Sequence, residues 1–201
     1  TYGQFPETFD GPGLPATWTV FDNGVGTTES WQYSTDGGFA YVLWENVTNG
    51  SLAEDFLVTP SHTVTAANPV LRFSLLQFNA GEFNSTFSIR VQVDGASSNV
   101  TDPTLYTEVA SYVESDYLPD AIFQTTEVDM SAYIGQSVYV AFVQSDDDGD
   151  AWAVDNVDFV SLSTAPPLAA VNPDPADGST VFLSQGTDAD GNPVNEYVFT
   201  W

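Results

Sequence analysis

The chain has 201 residues and a formal net charge of −26, with 19 Asp and 9 Glu against two Arg and no Lys. Phosphate backbones and anionic lipids are held mainly by Lys and Arg, so nucleic acid and anionic membrane are excluded as partners. A chain without Cys and with one His forms no disulfide, no thiolate site and no multi-His zinc site.

The apolar pattern alternates along most of the chain and predicts strands in order. They are Gln4–Phe9, Thr17–Phe21, Trp31–Ser34, Ala40–Trp44, Phe56–Thr59, Val70–Gln77, Thr86–Val93, Leu105–Val113, Gln124–Val128, Ser137–Gln144 and Ala153–Leu162. Leu52–Phe56 and Ser131–Ile134 read as briefly helical. Turn pairs such as Asn23-Gly24, Asp94-Gly95 and Asp148-Gly149 separate the runs. Together they predict an all-β antiparallel sandwich of about eleven strands over residues 1–162. Residues 163–172, with Ser163-Thr164-Ala165-Pro166-Pro167, read as a linker. Residues 173–201 read as part of a second β module, with short strands at Val181–Leu183 and Glu196–Trp201. The other reading of this tail is an extension packed on the first domain.

Catalytic signatures are few. His62, in Pro60-Ser61-His62-Thr63, would have to serve any Ser-His triad, and no G-x-S-x-G elbow accompanies it. Carboxylate pairs of the kind glycosidases use arise by chance among 28 acids. Cation binding has a better basis, since calcium takes six to eight oxygens from carboxylates, amides and carbonyls. The run Asp146-Asp147-Asp148-Gly149-Asp150 is either a cation loop using Asp146, Asp148 and Asp150 or a solvated hairpin tip.

Several segments, in order, carry a resemblance. They are Pro6-Glu7-Thr8-Phe9-Asp10, Leu14-Pro15 with Trp18-Thr19-Val20-Phe21-Asp22-Asn23-Gly24, Asp55 with Leu57-Val58-Thr59-Pro60, and Ala153-Val154-Asp155-Asn156-Val157. Over roughly residues 5 to 162 the chain resembles the cleaved-adhesin, or choice-of-anchor J, domains, which are similar to MAM-type jelly rolls. The tail from Pro173 resembles the start of a fibronectin- or immunoglobulin-like module.

The resemblance implies a non-catalytic jelly-roll β-sandwich with structural calcium, from a secreted or cell-surface bacterial multidomain protein. It implies Glu7, Asp22 and Asp155 as metal ligands, with Asn23 beside them. The residue pattern agrees for Glu7 and Asp155: both fall inside apolar strand patterns, where an unpaired carboxylate is costly. The expected function is adhesion to a glycan or a cell-surface protein, beside neighbouring domains of a longer chain. Trp31, Tyr41 and Trp44 are candidates to stack on sugar rings, or else core residues. A spacer or stalk module and a carboxylate-pair glycosidase are the alternatives.

Overall fold

The computed structural model describes residues 5–47, 50–79, 81–117 and 121–162, and four short strands beyond them. The chain divides into two compact units, Thr1–Leu162 and Ser163–Trp201. Among the described residues the first unit has eleven strands: β1 (Thr19–Asp22), β2 (Gln32–Ser34), β3 (Phe39–Val42), β4 (Ala53–Val58), β5 (His62–Thr63), β6 (Val70–Gln77), β7 (Thr86–Val93), β8 (Thr107–Val113), β9 (Gln124–Asp129), β10 (Ser137–Asp146) and β11 (Trp152–Val160). Sheet one has the order β1-β4-β10-β7-β8, with β5 also on β10; sheet two has the order β2-β3-β11-β6-β9. Every pairing is antiparallel; β2-β3 and β7-β8 are consecutive in the chain, and the other neighbouring pairs join strands distant in sequence. This is a jelly-roll β-sandwich, as the pattern and the resemblance imply.

Alternation builds the core. From sheet one, Leu57, Phe87, Ile89, Val140 and Phe142 point inward; Phe73, Leu75, Trp152 and Val154 meet them from sheet two. The rings of Phe73 and Phe142 meet edge-on at 5.2 Å. Each such side chain contributes roughly 1.5–3 kcal/mol by leaving water. The outer face of sheet one is covered as well: Phe56, Val58, Ala141 and Val143 lie under Phe21, Val100 and Tyr106. The outer face of sheet two near β3 is left more open.

Three expectations change. Leu52–Phe56 is not helical, because Ala53–Val58 is β4, paired by β1 on one side and β10 on the other. Pairing on both edges overrides local preference here. Among its described residues the expected opening strand contracts to one bridge, Glu7 with Val157, in which each backbone N–H donates to the other residue's carbonyl at 2.8 Å. β5 is an addition: Pro60 interrupts the strand after β4, and His62–Thr63 resumes pairing on the same edge of β10. In the second unit β12 (Thr180–Leu183) pairs with β15 (Tyr197–Thr200), and β13 (Gly186–Thr187) with β14 (Pro193–Val194). The expected linker, residues 163–172, lies outside the described residues.

Candidate metal centres and binding face

The structure divides the ligand set that the resemblance implies. Glu7 and Asp155 come together, and Asp10 joins them: both Glu7 and Asp10 act electrostatically on Asp155. The place is made by a β-bulge, where Asp155 and Asp158 pair with Ser74 and Arg72 and the register shifts between them. Asn156, in the bulge, adopts φ 51° and turns its backbone and side-chain N–H groups onto Asp155 at 2.7 and 2.8 Å. Burial is the main cause raising the Asp155 pKa, with Asp10 and Glu7 adding to it. The Glu7 carboxylate accepts the Phe9 N–H at 2.7 Å, and Asp10 accepts the Thr8 hydroxyl at 2.8 Å.

Asp22 stands elsewhere. It belongs to sheet one, whereas Asp155 belongs to sheet two, and its cross-strand partner is Asp55. Asp55 in turn pairs with Gln144. These three residues form a row on the inner face, since their strand neighbours Phe21, Phe56 and Val143 point outward. Asp146 follows Gln144 on the same face and accepts its amide N–H at 2.7 Å. Glu45 reaches this place from the segment after β3, and its carboxylate accepts the N–H groups of Thr28 at 3.1 Å and Glu29 at 2.9 Å. Asp55, Glu45 and Asp146 are 2%, 5% and 1% exposed. Burial pushes the Asp55 pKa up to about 8, with further upward contributions from Glu45, Asp146, Asp22 and Glu29. Burial likewise raises Asp146 to about 6, against hydrogen bonds from Gln144 and the Glu45 backbone. Asn23 is committed to its turn: its side-chain oxygen accepts the Val25 N–H at 2.9 Å, and its amide donates to the Leu52 carbonyl at 3.1 Å.

The acidic run 146–150 is not one loop site. Asp146 faces the Asp55 group, and Asp147 accepts the Val47 N–H at 3.0 Å. Asp148 is exposed, with φ 64°. Asp150 is fully buried and faces a different place. It accepts from the Gln77 amide at 2.5 Å, the Asn79 N–H at 2.8 Å, the Ala151 N–H at 2.7 Å and the Asn79 side-chain amide. Glu114, also fully buried, raises its pKa electrostatically, though burial is the larger cause. Glu114 itself accepts the Ser85 N–H at 2.9 Å, the Ser85 hydroxyl and the Phe83 N–H.

The sequence reading missed Glu45, Asp55, Asp10 and Glu114. A signal for Asp55 was present: in Ala53-Glu54-Asp55-Phe56-Leu57 a strand phase that buries Leu57 also buries Asp55. The helical reading of that segment hid it. Glu45 and Glu114 follow strand ends, and only tertiary packing brings them inward.

On the outer face of sheet two, Phe39 on β3 meets Tyr41, Phe78 and Phe123, with ring centroids 6.3, 6.3 and 5.4 Å away. The Tyr41 hydroxyl donates to Gln32 at 3.2 Å. Ser34, Asp36 and Leu43 line a groove of about 300 Å³ with Phe39, Tyr41 and Phe78. Leu43 also borders a second hollow, with Trp44, which is 44% exposed. Trp31 is core, 4% exposed, and donates its indole N–H to the Asp55 carbonyl at 3.0 Å, so it is no platform. His62 stacks on Phe159 at 4.1 Å and meets Phe5 edge-on, which makes it a packing residue.

This arrangement, two antiparallel sheets with jelly-roll connections, has the fold of the cleaved adhesin domains. The K1 cleaved adhesin domain of Lys-gingipain from Porphyromonas gingivalis W83 superposes with a TM-score of 0.55 at 18% identity, over 78% of this chain and 96% of that one. The K3 domain of the same protein gives 0.52 at 17% identity, over 75% and 94%. A structure described as showing the promiscuous specificity of carbohydrate-binding modules of the β-sandwich superfamily gives 0.51 at 11% identity, over 77% and 61%. No family model and no curated protein matches the chain.

Proposed function

We propose that the first domain is a non-catalytic adhesion module that binds a neutral glycan on the outer face of sheet two. The observation that carries this is the aromatic strip of Phe39, Tyr41 and Phe78 beside Ser34, Asp36 and Gln32, on a sandwich whose opposite face is covered. Aromatic faces pack on the C–H faces of sugar rings, and hydroxyl, amide and carboxylate groups bind sugar hydroxyls. The charge of −26 favours neutral over anionic saccharides. The names of the similar structures, adhesin domains and carbohydrate-binding modules, support the same reading. A secreted or cell-surface setting, with an immunoglobulin- or fibronectin-like neighbour beginning near residue 173, belongs to this proposal.

Calcium at Glu7, Asp10 and Asp155 would pin the N-terminal segment to the last strand of the domain. The donor type suits a hard cation: Glu7 and Asp10 lie within electrostatic reach of Asp155 at the bulge, and both described Arg are engaged elsewhere, although among the described residues no three such side chains already surround one point. Asp155→Asn is expected to remove part of the fall in melting temperature that EDTA causes in the wild type. An identical fall in both would refute this centre.

A neutral-glycan array with the full chain tests the ligand, followed by calorimetry on Tyr41→Ala and Trp44→Ala. Tyr41→Ala should weaken binding on the order of tenfold, about 1.4 kcal/mol, with an unchanged melt. A silent array would leave the spacer reading, and hydrolysis of a bound glycan would overturn the non-catalytic one.

A further inference from the structure

Strand β3 alternates strictly: Ala40 and Val42 are fully buried, and Phe39 and Tyr41 face out. Leu43 continues the outward row at 39% exposure. The strand ends at Val42, so Trp44, which alternation would turn inward, lies on the surface at 44% exposure. Large aromatics are mostly buried, and an open Trp beside an aromatic strip is a surface left for a ligand. Leu43 belongs to both hollows: the groove of about 300 Å³ with Phe39 and Tyr41, and one of about 330 Å³ with Trp44, Thr28, Glu29 and Asn46. The outward row from Phe39 to Leu43 extends over about 13 Å at roughly 3.3 Å per residue, more than one pyranose ring.

We propose that the two hollows form one groove that takes an internal stretch of an extended neutral polysaccharide, with one ring on Phe39 and Tyr41 and a later ring on Trp44. This rests on the glycan reading and names the class of glycan. Sites that grip a chain end enclose it among a few precisely placed buried polar groups. Here the polar side chains along the groove, Ser34, Asp36, Thr28, Glu29 and Asn46, are exposed or half-exposed, which suits a chain lying across the surface. Asp36 in one hollow and Glu29 in the other oppose an anionic chain. The Trp44 hollow is held in place before any ligand arrives. The buried Glu45 carboxylate accepts the N–H groups of Thr28 and Glu29 from one wall. From the other side the Asp148 N–H donates to the Glu45 carbonyl at 2.7 Å, and the Val47 N–H donates to Asp147 at 3.0 Å. Trp44 and Asn46 therefore stand on a fixed segment, and binding costs little ordering there.

Calorimetry of the full chain with neutral gluco-, manno-, xylo- and galacto-oligosaccharides, from monosaccharide to hexasaccharide, tests the proposal. In a series that binds, the hexasaccharide should bind on the order of tenfold more tightly than the disaccharide. Trp44→Ala should remove most of that advantage, whereas Tyr41→Ala should weaken every length and keep it. Reducing the terminal ring of the hexasaccharide to its alditol should change its affinity by no more than about twofold, since no chain end is held. The proposal is overturned, and the glycan reading kept, if disaccharide and hexasaccharide bind equally. The same holds if Trp44→Ala leaves their ratio unchanged or if reduction abolishes binding. Silence of the wild type across every series overturns the glycan reading and this inference together.

Discussion

The Asp150–Glu114 group and the Asp55–Glu45–Asp146 group both bury carboxylates almost completely, but they are furnished differently. Asp150 collects four N–H donors, and Glu114 collects two N–H groups and a hydroxyl. The atom left without a partner in that group is the neutral amide oxygen of Gln77. In the Asp55 group a carboxylate oxygen itself has none. An unpaired charged atom is much costlier than an unpaired neutral one. Hydrogen-bond accounting, rather than the number of acids, therefore separates a satisfied structural knot from a group left short of donors.

The largest effect that could break this comparison is expected at the knot. Asp150→Ala leaves the N–H groups of Asn79 and Ala151 and the amides of Gln77 and Asn79 without their acceptor. At about 1–3 kcal/mol for each unsatisfied buried group, with relaxation, the loss should reach about 3–5 kcal/mol in urea melts. It should be equal in Ca²⁺ and in EDTA. If calcium altered it, the knot would be a metal site and the contrast would fail. Asp55→Asn should behave in the opposite way. In EDTA it removes a buried carboxyl that must take up a proton beside Glu45 and Asp146, and should leave stability unchanged or raise it by about 1 kcal/mol. A large loss in EDTA would put Asp55 in the same class as Asp150.

These contrasts also show what a sequence conveys about such a molecule. Period-two runs such as Val70–Gln77 and Thr86–Val93 return as strands with the same bounds, because each alternation has one buried solution. Glu7 and Asp155 were legible as unusual acids, since each interrupts an apolar pattern. Sheet membership was not legible. Asp22 lies close to Trp18 in sequence, but its strand pairs with β4, and that pairing alone brings it to Asp55. The run 146–150 looked like one loop because its acids are contiguous. The chain turns between them, and Gly149 and the φ 64° of Asp148 let Asp146 and Asp150 face different places. Contiguity in sequence says little about direction in a tight turn.

The smallest effect is expected at His62, a third way of burying a titratable group. Its ring lies on Phe159 at 4.1 Å, with an interplanar angle of 18°, and meets the edge of Phe5. Burial lowers its pKa below the usual 6.5, and Asp158 opposes part of that shift. The folded state therefore favours the neutral ring. Below pH 6.5 the unfolded chain takes up the proton more readily, so stability is held above that value and lost as pH falls through the folded pKa. His62→Phe keeps an aromatic ring on Phe159 and removes the proton. The difference in melting temperature between wild type and variant should be flat above about pH 7 and grow in the variant's favour toward about pH 5. A difference that stays constant across that range would mean the imidazole does not resist protonation. His62 is tolerated in a different way from Asp55: its neutral form is the ordinary one near neutral pH, and aromatic rings already pack against it.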